Sequence, residues 1–194
     1  MSLKIVFMGT PEFSVESLKA LNNSRHQILS IFTQPSQKKK RGQKILPSPV
    51  QLTAERLKIP VRTPKDLKSP EEYNYLKKLK PDVVVVVAYG KRIPEKILKL
   101  PNILFLNLHA SLLPKWRGAA PIERSILNQD TQTGFSIMKI VSEMDAGPFM
   151  KQVSFKIDKE TNSGQLSRKL ALEGAKGLVE SLDMIVSGQF KFIE

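Results

Sequence analysis

Cysteine is absent from the 194 residues and histidine occurs only twice. The first absence excludes disulfides, thiolate zinc sites and a cysteine nucleophile; the second leaves little from which to build a transition-metal site, and none is expected. No apolar run is long enough to read as a membrane-spanning helix, so no membrane partner is expected. The opening stretch Met-Ser-Leu-Lys-Ile-Val-Phe-Met-Gly reads as a short strand running into a turn, not as a cleavable secretion signal. A cytoplasmic monomer is the resulting expectation. The Gly-x-Gly-x-x-Gly fingerprint is also missing, which removes the sequence argument for a dinucleotide.

Acidic residues are missing altogether between Glu16 and Glu55, where Lys19, Arg25, Lys38, Lys39, Lys40, Arg41 and Lys44 supply seven of the formal net charges of +13. Two readings fit: a polyanion partner such as nucleic acid, held by phosphate neutralisation and counterion release, or a solvated lysine-rich surface.

What is present suits one α/β domain, with 41% hydrophobic residues. Residues 4–8 read as a buried parallel strand, followed by a turn in which Thr10 can cap a helix opening at Pro11. A second strand is predicted over 28–33, and a long polar, basic loop over 34–44 with nothing apolar to bury and mobile without a partner. Ser48 and Pro49 open a second helix, residues 59–64 form an edge strand, and Ser69 caps a helix over 70–79. Residues 82–88 are apolar on both faces and belong at the centre of a parallel sheet. A short helix over 93–100, a strand over 103–107, a helix over 119–128, alternating antiparallel strands over 135–141 and 149–157, and a long covering helix over 162–187 complete the chain. The predicted fold is α/β: a Rossmann-like, mostly parallel twisted sheet with helices on both faces and antiparallel strands near the C-terminal end.

The chemistry concentrates in Asn107-Leu108-His109-Ala110-Ser111-Leu112-Leu113-Pro114-Lys115-Trp116-Arg117-Gly118-Ala119-Ala120-Pro121. Residues two apart on a strand face the same way, roughly 6.5 to 7 Å from each other, so Asn107 and His109 share a face while Leu106 and Leu108 pack behind. An amide donor beside an imidazole suits an oxygen that becomes negative during acyl transfer. Asp145, in Ser142-Glu143-Met144-Asp145-Ala146-Gly147, is the best partner for His109. A hydrogen-bonded structural histidine at a strand end fits the same pattern. Trp116 suits either a pocket wall or core packing, and Arg117 either an anionic ligand or a structural ion pair.

This stretch, together with the opening Gly9-Thr10-Pro11-Glu12-Phe13-Ser14, resembles the 10-formyltetrahydrofolate-dependent formyltransferases, and within them the branch acting on initiator methionyl-tRNA. The resemblance implies a catalytic trio of Asn107, His109 and Asp145. It implies a folate site from Ser111, Leu112, Leu113 and Pro114 with Tyr89, Gly90 and Ile93, and 10-formyltetrahydrofolate as cosubstrate. Lys38, Lys39, Lys40, Arg41 and Lys44 correspond to a basic insertion that contacts tRNA, with Arg41 at the position of its key arginine. Residues 1–188 would be the catalytic domain, and 189–194 the start of a linker to a C-terminal β-barrel domain. A formyltransferase for an amino sugar or glycinamide ribonucleotide, and a non-enzymatic nucleic-acid binder, are the alternatives. The basic insertion argues against the first and the matching trio against the second.

Overall fold

The computed structural model describes residues 1–39 and 44–194. Lys40 and Arg41, expected in the tRNA-binding insertion, lie outside the described residues. Five parallel strands come first in space: β1 (Lys4–Gly9), β2 (Gln27–Phe32), β5 (Val61–Arg62), β6 (Val83–Val87) and β7 (Leu104–His109). Antiparallel β8 (Gln132–Lys139) and β9 (Phe149–Lys156) extend the sheet beyond β7, giving the order β5-β2-β1-β6-β7-β8-β9. The expected fold class is therefore the observed one.

Strand alternation explains how the sheet holds two helical layers. Ile5, Phe7, Val83, Val85, Leu106 and Leu108 point to one face, packed with Leu18, Leu21, Leu170 and Leu178 of α1 (Phe13–Asn22) and α6 (Ser163–Ser187). Val6, Met8, Val84, Val86 and Phe105 point to the other, where Leu76 of α3 (Pro70–Leu79) and Ile97 of α4 (Glu95–Leu98) cover them. All five valines of β6 are buried, each contributing about 1.5–3 kcal/mol relative to exposure. α6 lies close on β7 and β8 because Gly174 and Gly177 face the sheet: a Cβ at these positions would come within 2.9 Å of Leu108 and 2.6 Å of Phe135. That contact backs the strand carrying Asn107 and His109.

Several local expectations need correction. Thr10 does not cap α1, which starts at Phe13 without a side-chain cap; its hydroxyl donates instead to the Tyr89 carbonyl at 2.9 Å. The segment 34–44 is not wholly loop, because β3 (Gln37–Lys39) and β4 (Lys44–Leu46) pair antiparallel. The helix after the central motif, α5 (Pro121–Leu127), begins at its proline, since Ala120 has φ +56°. α4 spans four residues instead of eight, and β8 begins three residues before Phe135. Ser48 and Ser69 do cap α2 (Pro49–Arg56) and α3 as predicted.

Candidate active site

The parallel strands all end at one edge of the sheet, where ligand crevices of open α/β folds lie. The end of β6 is pinned by three side chains: Thr10 from the turn after β1, Ser14 from the first turn of α1 and Gln34 from beyond β2. Ser14 Oγ donates to the Val87 carbonyl at 2.6 Å, and Gln34 Nε2 joins Thr10 on the Tyr89 carbonyl at 2.9 Å. Tyr89 itself turns inward. Its ring is buried in the second core layer, its hydroxyl has no hydrogen-bond partner among the described residues, and burial, with Glu72 acting in the same direction, pushes the phenol above its ordinary value. Ile93 is buried too, whereas Gly90, with φ +77°, is exposed. Of this expected folate-site loop, Gly90 and the backbone are what face outward.

The next strand brings the predicted trio together. Asn107 Nδ2 donates to Asp145 Oδ1 at 3.3 Å, and His109 Nδ1 lies 3.5 Å from Asp145 Oδ2. Asp145 has φ +48°, a left-handed conformation in which Asp is better tolerated than most residues. Its Oδ2 also accepts the Gly118 amide at 2.9 Å, where φ +89° demands glycine. One carboxylate thus ties β7, the loop after it and the loop between β8 and β9. Arg92 Nη2 donates to the Ser142 carbonyl at 3.1 Å, which joins the loop after β6 to the same structure.

The ring of His109 is engaged at its other nitrogen as well. Nε2 lies 2.9 Å from the Trp116 carbonyl. A carbonyl only accepts, so Nε2 carries a hydrogen. Asn107 is half-buried and its amide has a second N–H with no partner among the described residues. The site therefore offers one free donor, an imidazole with Nδ1 loosely placed, and a carboxylate within reach of both.

Residues 111–114 are clamped from below. Ser136 Oγ donates to the Ser111 carbonyl at 2.7 Å and accepts the Leu113 amide at 3.1 Å, while Gln152 Nε2 donates to the Leu113 carbonyl at 2.8 Å. The Ser111 hydroxyl donates to the Lys115 carbonyl, so it and the buried Leu113 face the protein; Leu112 is half-buried and Pro114 exposed. Trp116 is neither a simple wall nor simple core: its indole N–H donates to Asp130 Oδ2 at 2.7 Å. Arg117 is exposed and has no ion pair among the described residues. Gly118, Asp130, Ser136 and Gln152 escaped the sequence reading. Only the lone tryptophan, whose buried N–H requires an acceptor, could have pointed to one of them.

No group of three or more His, Cys, Asp or Glu side chains among the described residues could hold a metal ion. Nor is any described helix long and apolar enough to cross a membrane.

Residues 3–182 match the formyl transferase family model. The methionyl-tRNA formyltransferase of Pelagibacter ubique is 48% identical over 195 residues, covering 100% of this chain and 63% of its own. That of Kosmotoga olearia is 43% identical over 189 residues, covering 97% and 61%. The chain thus spans roughly 60% of the length of these curated relatives. Among solved structures, the phosphoribosylglycinamide formyltransferase from Bacillus halodurans aligns at TM-score 0.78 with 23% identity over 95% of each chain. The sugar 3N-formyl transferase WlaRD, solved in the presence of dTDP and 5-N-formyl-THF, aligns at TM-score 0.71 with 18% identity over 100% of this chain and 66% of that one. At such identities the structural likeness concerns the fold alone. The family match, spanning both the core strands and the loops that meet at Asp145, places the chain in the formyl transferase family.

Proposed function

We propose that the chain transfers the formyl group of 10-formyltetrahydrofolate to the α-amino group of methionine carried by initiator tRNA, acting as a cytoplasmic monomer in translation initiation. The observation that carries this reading is the convergence of Asn107 and His109 on Asp145. The name borne by relatives 43% and 48% identical favours the tRNA acceptor over a small-molecule amine.

The donor supplies an activated formyl carbon. In this reading its flat rings lie between Gly90 with the backbone of residues 88–93 on one side and Leu112 and Pro114 on the other. Asn107 directs its free amide N–H to the formyl oxygen, which gains negative charge as the amine adds. With Nε2 already carrying a hydrogen, His109 supports the same oxygen as the doubly protonated ring, whose Nδ1–H, 3.5 Å from Asp145 and beyond a close charge-assisted hydrogen bond, is shared with that oxygen. Asp145 orients His109 and takes the proton the amine loses. The new C–N bond forms as the bond from the formyl carbon to the folate nitrogen breaks. That nitrogen gains one proton, so none is consumed overall.

The basic segment supports the acceptor assignment. β3 and β4 follow the end of β2, at the edge of the sheet where β7 also ends. Lys38, Lys39, Lys40, Arg41 and Lys44 are the proposed phosphate-binding residues, and residues 189–194 the proposed start of a linker to a further domain. The test is formyl transfer to methionyl initiator tRNA, run beside glycinamide ribonucleotide and free amino sugars. Product on the tRNA alone supports the proposal; product on a small amine alone sinks the acceptor assignment. Lys38→Ala with Lys44→Ala should weaken tRNA binding and flatten its salt dependence by roughly 0.7–0.9 in log–log slope for each phosphate no longer neutralised.

A further inference from the structure

Asp130 lies outside the trio, yet it is the most heavily bonded carboxylate near it. Its side chain is 4% exposed. Oδ1 accepts from Lys115 Nζ at 2.8 Å and Asn128 Nδ2 at 2.6 Å, and Oδ2 accepts from Trp116 Nε1 at 2.7 Å. Burial pushes the carboxyl up, but the hydrogen bonds from Lys115, Asn128 and Trp116, with the Lys115 charge, more than reverse this and leave it below its ordinary value. Its backbone is fixed at the end of α5, where the Asp130 amide donates to the Ser125 carbonyl at 2.9 Å. The group is a charged anchor held in one place.

What it anchors is the residue bonded to the histidine. Trp116 has φ +58°, a conformation that a bulky side chain keeps only where its surroundings hold it. The indole is fastened to Asp130, and the carbonyl of the same residue meets His109 Nε2 at 2.9 Å. We propose that Asp130 is a positioning residue for formyl transfer: by fastening the Trp116 indole it fixes the Trp116 carbonyl against His109, and so decides which ring nitrogen carries the permanent hydrogen.

The physical reason is a competition between two acceptors. The Trp116 carbonyl at Nε2 and the Asp145 carboxylate near Nδ1 each attract the single hydrogen of a neutral imidazole. With the carbonyl in place the hydrogen stays on Nε2, and Nδ1, beside Asp145 and Asn107, is the nitrogen whose protonation changes. With the carbonyl displaced, the carboxylate draws the hydrogen to Nδ1. The lone pair then moves to Nε2, on the ring edge away from Asp145, and the Nδ1–H is committed to the carboxylate, so the ring no longer takes up its second proton beside the formyl oxygen. The inference rests on the reading of the site given above, but its central claim concerns the free protein.

Trp116→Phe keeps an aromatic ring and removes the N–H; Asp130→Asn keeps an acceptor and removes the charge. The chain has two histidines, so nitrogen-15 NMR resolves both. His26 Nδ1 accepts the Leu3 amide at 3.2 Å and makes that ring an internal control. The expected result is an Nε2–H tautomer for His109 in the native chain, Nδ1–H signal growing in both variants, and an unchanged His26. In the formyl-transfer assay, kcat falls by about a hundredfold, with KM for the acceptor little changed. A folded Trp116→Phe chain with native His109 signals overturns the proposal, as does a tautomer shift that leaves kcat untouched. Should Asp130→Asn not fold, Trp116→Phe decides alone. The tautomer measurement needs no substrate. A shift seen in a chain that formylates no acceptor upholds the carbonyl's control of the ring while the functional reading fails.

Discussion

The two histidines sit in superficially similar settings, each facing an aspartate, and only one lies in the proposed site. His26 Nε2 lies 3.3 Å from Asp183 Oδ1 and His109 Nδ1 lies 3.5 Å from Asp145 Oδ2. Distance to a carboxylate therefore does not separate them. What separates them is the partner of the second ring nitrogen. His26 accepts a backbone N–H there, from Leu3, and its side chain is wholly buried; Arg25 already holds Asp183 at 2.6 Å. His109 donates to a carbonyl there, and Asn107 and the Gly118 amide converge on the same aspartate. In the proposed site it is the donors gathered around the His–Asp pair that set it apart.

The sharpest way to break this contrast is to remove each ring. His109→Ala should lower kcat for formyl transfer by about two to four orders of magnitude, the range for a positioned proton-transfer group. His26→Gln should leave kcat within about twofold, because no element of the site touches it. Equal losses in the two variants would erase the distinction. Asp145→Asn comes next. Asparagine tolerates the φ of +48° and can still accept the Gly118 amide, so the chain folds while the proton acceptor is gone. A kcat loss of about a hundredfold or more, with an unchanged unfolding midpoint, is expected. Asn107→Ala removes one donor to the developing charge and should cost about a hundredfold in kcat, read under saturating donor and acceptor.

How much of this was legible in the chain varies with the kind of signal. The valines of β6 announced a central strand because burial on both faces leaves no other reading, and the alternation at Leu106 to His109 announced which side chains share a face. Thr10 misled because a hydroxyl next to Pro11 looks like a cap, while the tertiary fold brings the Tyr89 carbonyl to it from 79 residues away. The β3–β4 ribbon was invisible because Gln-Lys-Lys carries neither apolar alternation nor β-branched side chains. The inward turn of the Tyr89 ring was not legible, since its neighbours in sequence say nothing of which way a ring turns after a strand ends. Asp130 was illegible for a deeper reason: its importance comes from four side chains meeting at the end of α5, a fact of the folded loop that no spacing encodes.

The smallest expected effect concerns the histidine that does no chemistry. Burial holds the His26 imidazole below its ordinary 6.5; Asp183 pulls it back up and Arg25 pushes it down. Between its folded value and 6.5 the unfolded chain binds more protons at this position than the folded one, so stability falls as pH drops through that window. Above 6.5 the ring is neutral in both states and contributes no slope. Asp130, also held below its ordinary 3.8, contributes stability that is lost only at lower pH still, as the carboxyl protonates in the folded state, so the two effects occupy separate ranges. His26→Gln should therefore flatten the decline of the urea midpoint just below pH 6.5 while leaving the loss at stronger acid in place. Parallel midpoint curves for the two chains would mean that the buried ring takes up its proton without cost, and the contrast with His109 would then rest on the surrounding donors alone.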